Sequence, residues 1–340
     1  MSKKTKKSKN TPKNNSKKAN STQKLTQKHS PKYSVVQRLA GFVELGRPIE
    51  WSKPLLNMTL AMLIAFYVYQ AGVSFEIFVA GFASVALLWS GLYALNDYTD
   101  WKIDLIHAVK KNRPIPSGKV SPVQGIIFSI GLIIISFWIA FAINNFLLAI
   151  CLLAMFFNQW LYTMKPFRLK SRKGFDMISG SMVNPLFRYF SGLVLFVPSA
   201  ALFTQITPLL PLIFVIGMQF SGYSLYRLFS KKHDVAINMK STVALVSEKR
   251  VKMLSYSAIG LAVISYISLF INFFTLKISA LGYLPPIYLA PIVVCLLFIP
   301  LMLEGILNPA KADMKKNYRV IYLATVTFII ANLIVFIFFR

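Results

Sequence analysis

Residues 76–104 read EIFVAGFASVALLWSGLYALNDYTDWKID. The first part of this stretch, residues 76–95, is long and apolar enough to cross a bilayer as a helix, which needs about 20 residues. Its length and lack of strict alternation favour a helix over a strand. The second part adds a group of oxygen-bearing side chains at the end of the helix, which are Asn96, Asp97, Asp100 and Asp104. The stretch therefore predicts a transmembrane helix that ends in an acidic segment.

Apolar segments of this kind recur along most of the chain. Of its 340 residues, 56% are hydrophobic, and the mean hydropathy is +0.57. Soluble domains are usually 45–50% apolar, so this excess indicates a bilayer as the solvent. The predicted transmembrane helices are residues 54–72, 76–95, 122–143, 145–163, 176–198, 207–228, 252–274, 281–303 and 318–338. The predicted fold is an all-α membrane protein with nine transmembrane helices in one bundle.

The basic residues alternate with these spans. The chain has 38 Lys and Arg against 11 Asp and Glu, which gives a formal net charge of +27. The loops after the even-numbered spans are rich in Lys and Arg, whereas the loops after the odd-numbered spans contain only Lys277. Basic loops remain in the cytoplasm. This predicts a multi-pass protein with a cytoplasmic N-terminus, a C-terminus on the outer side, and the acidic segment at the cytoplasmic face.

Residues 1–35 form a separate Lys-rich segment before the bundle of residues 36–340. Its low hydrophobicity and high charge predict a disordered cytoplasmic tail. Anionic membrane lipids are an alternative partner for such a segment. The charge has no interleaved aromatic residues or binding fold, so no nucleic-acid partner is expected.

The acidic segment places its oxygen atoms on one side of the helix. Asn96, Asp100 and Asp104 are spaced by four, and each such step turns a helical side chain by only about 40°. Asp97 lies in the same sector. Carboxylates on one face repel one another, so a cation must neutralise them. Mg²⁺ prefers oxygen ligands and is usually held by one or two carboxylates together with substrate phosphates. The alternative is a solvated helix end that is neutralised by neighbouring lysines.

A basic turn follows the acidic segment and precedes the third span. Its residues 110–119 read KKNRPIPSGK, in which two prolines and a glycine predict a compact turn. Arg113 can hold a phosphate through two parallel hydrogen bonds, and Lys119 adds a point charge. An acidic face beside a basic turn is the arrangement expected for a complex of metal and diphosphate.

The loop after span six partly repeats this pattern. Ser230, Asp234 and Asn238 have the same spacing of four, and Lys240 is followed by Ser241 and Thr242. The repetition predicts two related four-helix halves plus one helix, with the site at their interface. Two facing helix ends would then hold two metal ions and a diphosphate. An ordinary basic cytoplasmic loop is the alternative.

These motifs resemble the UbiA superfamily of intramembrane prenyltransferases. Residues 96–104 match its N-D-x-x-D-x-x-x-D motif, and residues 113–118 match R-P-x-x-S-G. The family's second motif, D-x-x-x-D with a downstream K-[ST], matches at Asp234 and at Lys240, but Ser230 stands where the first Asp belongs. Three further parts of the family pattern are Arg47-Pro48 before span one, Tyr162, and the pair Arg168 and Lys170.

The resemblance implies Mg²⁺-dependent transfer of a polyprenyl group from a prenyl diphosphate to a lipophilic acceptor, aromatic acceptors included, within the membrane. It implies catalytic roles for Asp97, Asp100, Asp104 and Asp234, and metal binding by these four residues with Asn96. The substrate-binding residues that it implies are Arg47, Arg113, Lys119, Tyr162, Arg168, Lys170, Arg188 and Lys240.

Three other functions compete with this interpretation. The segment from Arg47 to Lys53, together with Asp176 and Arg188 in span five, is similar to the branch of the superfamily that transfers phosphoribose from phosphoribosyl diphosphate to polyprenyl phosphate. Arg188 is expected to face the cavity and to pair with Asp176 or with a ligand phosphate. A membrane transporter is a second alternative. A lipid-binding relative without catalysis, motivated by Ser230, is the third.

Overall fold

The computed structural model describes residues 33–106, 109–275, 284–309 and 311–339, so most of the Lys-rich tail lies outside the described residues. The helices are α1 Val35–Gly46, α2 Ser52–Tyr67, α3 Phe75–Asp104, α4 Pro122–Ala142, α5 Phe146–Thr163, α6 Phe175–Ile178, α7 Asn184–Leu193, α8 Leu209–Phe229, α9 Lys231–Ala236, α10 Thr242–Leu245, α11 Glu248–Thr275, α12 Ala290–Leu296, α13 Ile299–Leu307 and α14 Met314–Phe339. The described residues contain no strand, and Arg172 and Lys240 form an isolated bridge. The all-α fold class is confirmed.

Polar side chains determine where several of these helices begin. Ser121 Oγ accepts a hydrogen bond from the Gln124 amide at 3.2 Å, and Gln124 Oε1 accepts one from the Ser121 amide at 3.0 Å. This capping box satisfies two amides at the start of α4, and Pro122 adds a residue whose φ already suits a helix. Ser34 begins α1 in the same way, with Gln37 as its partner.

Fewer described helices than the predicted nine are long and apolar enough to cross a membrane. Six described helices are long and apolar enough to cross a bilayer, which are α3, α4, α5, α8, α11 and α14. A seventh candidate is a pair of helices, Pro286–Leu296 and Ile299–Leu307, bent by 66°. The predicted first span is the 16-residue helix α2, and the predicted fifth span is interrupted by a π-helix at Ser179–Val183. The nine-span count and the sidedness therefore stay predictions.

Helix α2 occupies the middle of the bundle. Residues 57–65 are all buried, and α2 packs against α3, α7, α8 and α14. A helix that is apolar on every side is stable only when it is enclosed by others. By contrast, α4 exposes a series of large apolar residues, among them Ile127, Ile134 and Trp138. Such a surface fits hydrocarbon and not water.

Helix packing follows the predicted division into two halves. The most extensive helix contacts join α3 to α4 and α8 to α11. These pairs are the second and third helices of each predicted half. Helices α2 and α7, which correspond to the first helix of each half, form the next most extensive pair. This pattern is consistent with the internal repeat, which stays a prediction.

Close packing of α2 against α7 depends on Gly192. A Cβ at this position would lie 2.7 Å from Ala61 Cβ and 2.8 Å from Met58 Cα. We therefore expect Gly192→Ala to separate the two helices and to lower the free energy of unfolding by about 1–3 kcal/mol. SDS titration of the protein in mixed micelles would measure this change.

Gly222→Ala is the matched control, because a Cβ on Gly222 in α8 meets no atom within 4 Å. Alanine has a higher helix propensity than glycine, so this variant should be unchanged or more stable by up to about 1 kcal/mol. Equal stability of the two alanine variants would show that the close contact of Gly192 with α2 does not determine the stability of the protein.

Candidate functional site

The last turns of α3 carry the predicted acidic face, defined here as Asn96, Asp97, Asp100 and Asp104. All four residues are helical, as their spacing predicts. Asp97 and Asp104 are 1% and 2% exposed. Isolated carboxylates are rarely buried to this extent because the loss of hydration is costly. Each acidic residue must therefore have a partner, and the structure provides basic side chains from three loops.

Arg113 bridges two of the acidic side chains. Its Nη1 donates hydrogen bonds to Asp97 Oδ1 at 3.0 Å and to Asp104 Oδ2 at 2.8 Å. The turn that follows is closed by a hydrogen bond from the Ser117 amide to the Arg113 carbonyl at 2.9 Å. Gly118 has a left-handed φ of 83°, which glycine adopts readily. The compact turn predicted from the sequence thus fixes the position of Arg113.

Arg47 reaches Asp97 from the other side. Its Nη2 lies 2.7 and 2.9 Å from the two carboxylate oxygens, and its guanidinium lies 4.6 Å from the centre of the Tyr93 ring. Burial lowers the pKa of Arg47. The negative charge of Asp97 outweighs this effect and raises the pKa above its ordinary value. The backbone of Arg47 is left-handed, with a φ of 49° between α1 and the next helical turn. A non-glycine residue in this conformation is uncommon and is typical of functional sites.

Lys170 neutralises the rest of the acidic face. Its Nζ lies 2.6 Å from both oxygens of Asp100 and 3.3 Å from Asn96 Oδ1. Arg168 Nη2 also approaches Asp100 Oδ1, at 3.4 Å, and its φ of 39° is again left-handed. Burial lowers the pKa of Lys170, and the Asp100 carboxylate acts against this effect. Residues 168–170 therefore supply the counter-charge to the outer part of the acidic face.

The second predicted loop is organised around Asp234, which is 2% exposed. Its Oδ2 accepts hydrogen bonds from Arg227 at the end of α8 and, at 2.7 Å, from Ser241 Oγ. The expected alignment of Ser230, Asp234 and Asn238 on one helix is wrong. Helix α9 ends at Ala236, and Asn238 has a left-handed φ of 53°, a common way for a helix to end.

Asp176 anchors the same loop from the neighbouring segment. It accepts hydrogen bonds from the amide of Thr242, at 3.0 Å, and from the Thr242 hydroxyl. Of the two partners expected for Arg188, Asp176 is therefore wrong, and a ligand phosphate stays a prediction. Arg188 lies deeper in the bundle, where its Nη2 contacts Gln219 Oε1 at 2.5 Å and its guanidinium lies 4.5 Å from the Trp89 ring centre.

The remaining predicted site residues occupy three places. The Tyr162 hydroxyl lies 2.7 Å from the Tyr223 hydroxyl. Lys240 is exposed and forms a backbone bridge with Arg172. Lys119 Nζ contacts Glu44 at 2.8 Å, so the structure does not bring it to the acidic face.

The acidic face has one position at which several oxygen atoms surround a cation. Three oxygen atoms, from Asn96 and Asp100, surround the ammonium of Lys170 within 3.3 Å. These hard oxygen donors are the type that Mg²⁺ prefers, so the chemistry of the acidic face fits that ion. Within the described ranges, no three His, Cys, Asp or Glu side chains are grouped as a complete set of metal ligands. A metal bound here would complete its shell with substrate or solvent oxygens.

An apolar cavity of about 880 Å³ opens between α8 and α14. Among the residues that line it are Ile49, Tyr226, Phe229, Tyr318, Arg319 and Tyr322. Glu50, next to Ile49, is buried and paired with Lys53 at 2.6 Å. Burial raises the pKa of Glu50, but Lys53 outweighs it, and the pKa falls to about 2. The cavity is thus mainly apolar, with a fixed charge pair beside it.

Sequence reasoning missed several of these residues. Arg227 makes a contact that shapes the second loop, and Tyr93 lies between Glu50 and Arg47. The sequence names Thr242 only as a neighbour of Lys240, whereas the structure joins it to Asp176. Arg227 could have been identified from the sequence, because it lies one helical turn before Ser230. Glu50 could have been identified as well, since few acidic residues occur in this chain.

The chain matches the UbiA prenyltransferase family model over residues 56–334. It is 32% identical over 148 residues to the digeranylgeranylglyceryl phosphate synthase of Methanopyrus kandleri, covering 44% of this chain and 49% of that protein. It is 29% identical over 128 residues to protoheme IX farnesyltransferase 2 of Pseudoalteromonas atlantica, covering 36% and 40%. The chain therefore spans about half the length of these curated relatives or less.

Two solved structures share the fold. A UbiA homolog from Archaeoglobus fulgidus bound to GPP and Mg²⁺ has a TM-score of 0.62 at 16% identity, covering 87% of this chain and 99% of that one. The apo structure of a UbiA homolog from Aeropyrum pernix K1 has a TM-score of 0.64 at 16% identity, covering 85% and 98%.

Proposed function

Because this chain belongs to the UbiA prenyltransferase family, we propose that it transfers a polyprenyl group from a prenyl diphosphate to a lipophilic acceptor within the membrane, with Mg²⁺ as cofactor. One observation carries this proposal. The acidic face of α3 is enclosed by Arg47, Arg113 and Lys170, so anionic and cationic groups alternate within hydrogen-bonding distance. Such a site suits a ligand that brings both a metal cation and a diphosphate.

In this proposal the acidic face holds the metal through Asn96, Asp97, Asp100 and Asp104. When bound, Mg²⁺ would supply positive charge to the leaving diphosphate. Asp100 and Asn96 are well placed because they already converge on one cationic atom, Lys170 Nζ.

The basic side chains have a second role once the donor binds. Arg113 and Lys170 are then free to turn from carboxylates toward phosphate oxygens, where charge increases as the carbon–oxygen bond breaks. After this turn they would act as donors to the oxygens where charge develops, and such donors stabilise a transition state. Arg47, Arg168 and Lys240 add to the positive potential that attracts the diphosphate.

Exclusion of water follows from the surroundings of the site. Bond breaking in an allylic diphosphate leaves a carbocation-like carbon that water would capture. The apolar cavity between α8 and α14 would accommodate the lipophilic part of a substrate, and Tyr226, Tyr318 and Tyr322 present aromatic rings there. Aromatic faces stabilise cations. We place this site at the cytoplasmic face and the C-terminus on the outer side, on the basis of the basic loops.

The test is direct turnover by the full-length chain in lipid nanodiscs. Prenyl diphosphates of several chain lengths would be supplied with Mg²⁺ and a lipid extract, and products identified by mass. We expect release of diphosphate and a prenylated lipid, both abolished by EDTA and restored by added Mg²⁺. Phosphoribosyl diphosphate with a polyprenyl phosphate forms the parallel arm of the assay.

Each alternative has its own outcome in this experiment. Turnover of phosphoribosyl diphosphate alone would replace prenyl transfer with phosphoribosyl transfer. Solute flux across proteoliposomes without chemical turnover would identify a transporter. Binding of prenyl diphosphates with no product would identify a non-catalytic relative.

A further inference from the structure

The second loop differs in charge from the acidic face that it opposes. Its described acidic side chain is Asp234, and the position one helical turn before it is Ser230. Asp234 is already held by a fixed cation, Arg227, and by the Ser241 hydroxyl. Mg²⁺ is usually held by one or two carboxylates together with substrate phosphates, and the carboxylate available here is already neutralised by Arg227. The second loop therefore does not fit the metal that its resemblance to the acidic face would imply.

Arg227 has hydrogen-bonding capacity that Asp234 does not use. Its side chain is 14% exposed, and its buried Nε makes no hydrogen bond to any described residue. A guanidinium has five N–H donors and cannot lose its charge in a protein. Leaving a buried donor unsatisfied is costly unless a ligand completes it. Arg227 Nε thus lacks a hydrogen-bond acceptor among the described residues, and a bound ligand would supply one.

The second loop, which follows Arg227, lies beside the segment that supplies Lys170. Lys240 forms a backbone bridge with Arg172, and the Gly174 amide donates a hydrogen bond to Thr242 Oγ1 at 2.7 Å. Lys170, two residues before Arg172, lies 2.6 Å from Asp100 on the acidic face. An anion held between the two loops would therefore reach Arg227 on one side and the acidic face with its metal on the other.

From this geometry we propose that Arg227 takes the place of a second metal ion, binding the substrate diphosphate directly, so that the chain holds metal on the acidic face of α3 alone. Ser230 removes a negative charge from the second loop, and Arg227, three residues earlier on the same face of the helix, supplies a positive one. The assignment rests on the proposed function, since a diphosphate is its ligand.

The amounts of metal ion and of pyrophosphate bound per chain can be measured without turnover. The full-length chain in nanodiscs would be dialysed against Mn²⁺ and radiolabelled inorganic pyrophosphate, and the bound amounts of each measured. We expect one metal ion per wild-type chain at saturation. Arg227→Gln should weaken pyrophosphate binding by about 10- to 100-fold, the range for a charge-assisted hydrogen bond. The double variant Arg227→Gln with Ser230→Asp should bind a second metal ion.

Two further variants separate binding from folding. Arg227→Lys keeps the charge beside Asp234 and should retain more pyrophosphate affinity than Arg227→Gln. Arg38→Gln, an exposed position in α1, is the matched control and should leave both measurements unchanged. Two metal ions per wild-type chain would overturn the assignment, as would unchanged pyrophosphate affinity in Arg227→Gln. One metal ion with pyrophosphate, but no turnover of any prenyl diphosphate, would support the assignment while ending the proposed function.

Discussion

Replacing Asp100 with asparagine is expected to lower Mg²⁺-dependent consumption of a prenyl diphosphate by about 100-fold or more. Loss of residues that merely support metal ligands already costs 10- to 100-fold, and Asp100 is proposed as a direct ligand. The substitution keeps the shape of the side chain but removes the charge that faces Lys170 at 2.6 Å. Diphosphate release at several Mg²⁺ concentrations would measure the loss, and a raised Mg²⁺ requirement would locate it in metal binding.

Glu76→Gln is the control for this experiment. Glu76 is exposed at the opposite end of the same helix, 24 residues from Asp100, which corresponds to roughly 36 Å along the helix. Its activity should match that of the unaltered chain. Diphosphate release that persists unchanged in Asp100→Asn would remove Asp100 from the proposed machinery, provided that both variants show the same thermal unfolding.

Arg113→Gln is expected to have the second large effect, a fall of about 100-fold in kcat/KM for the donor. The cause differs from that for Asp100, because this change keeps all four residues of the acidic face. Arg113 Nη1 joins Asp97 to Asp104 at 3.0 and 2.8 Å, and these carboxylates are almost fully buried. Without the guanidinium they repel each other, and the donor loses a cation for its phosphate. Removal of a fixed donor to developing charge typically costs 100- to 1,000-fold.

The same variant should lose stability by about 1–3 kcal/mol, since Arg47 still compensates Asp97 but Asp104 retains only the more distant Lys110. Arg113→Lys should recover part of both losses, because an ammonium supplies charge but not the rigid guanidinium geometry. Arg250→Gln, at an exposed position in α11, is the matched control. Wild-type kinetics in Arg113→Gln would show that Arg113 serves the fold and not the donor.

The parts of this site that the sequence predicted are those controlled by local geometry. Spacing by four on a helix determined that Asn96, Asp100 and Asp104 share a face, and the Pro-Gly pattern determined the turn after Arg113. Both depend on residues that are close together in the chain. Hydropathy likewise located the helices, although it did not reveal that α2 is short or that the segment before α7 contains a π-helix.

The contacts that sequence reasoning missed join distant segments. Lys170 meets Asp100 across 70 positions, and Lys119 turns to Glu44 across 75. Nothing local distinguishes these two lysines, which both follow a predicted span in a basic loop. Arg188 was expected to pair with Asp176 or with a ligand phosphate, and it lies beside Gln219 because Asp176 is occupied by Thr242. Long side chains choose among several partners, and the tertiary arrangement decides between them.

The pairing of Lys170 and Arg113 with the acidic face has a consequence for how the chain folds. Many metal sites cannot form before the ion arrives, because their clustered ligands repel one another, and folding then waits for metal. Here the protein supplies its own counter-charges. If Mg²⁺ is the cofactor, as proposed, the bundle should fold and assemble without the ion, and only catalysis should require it.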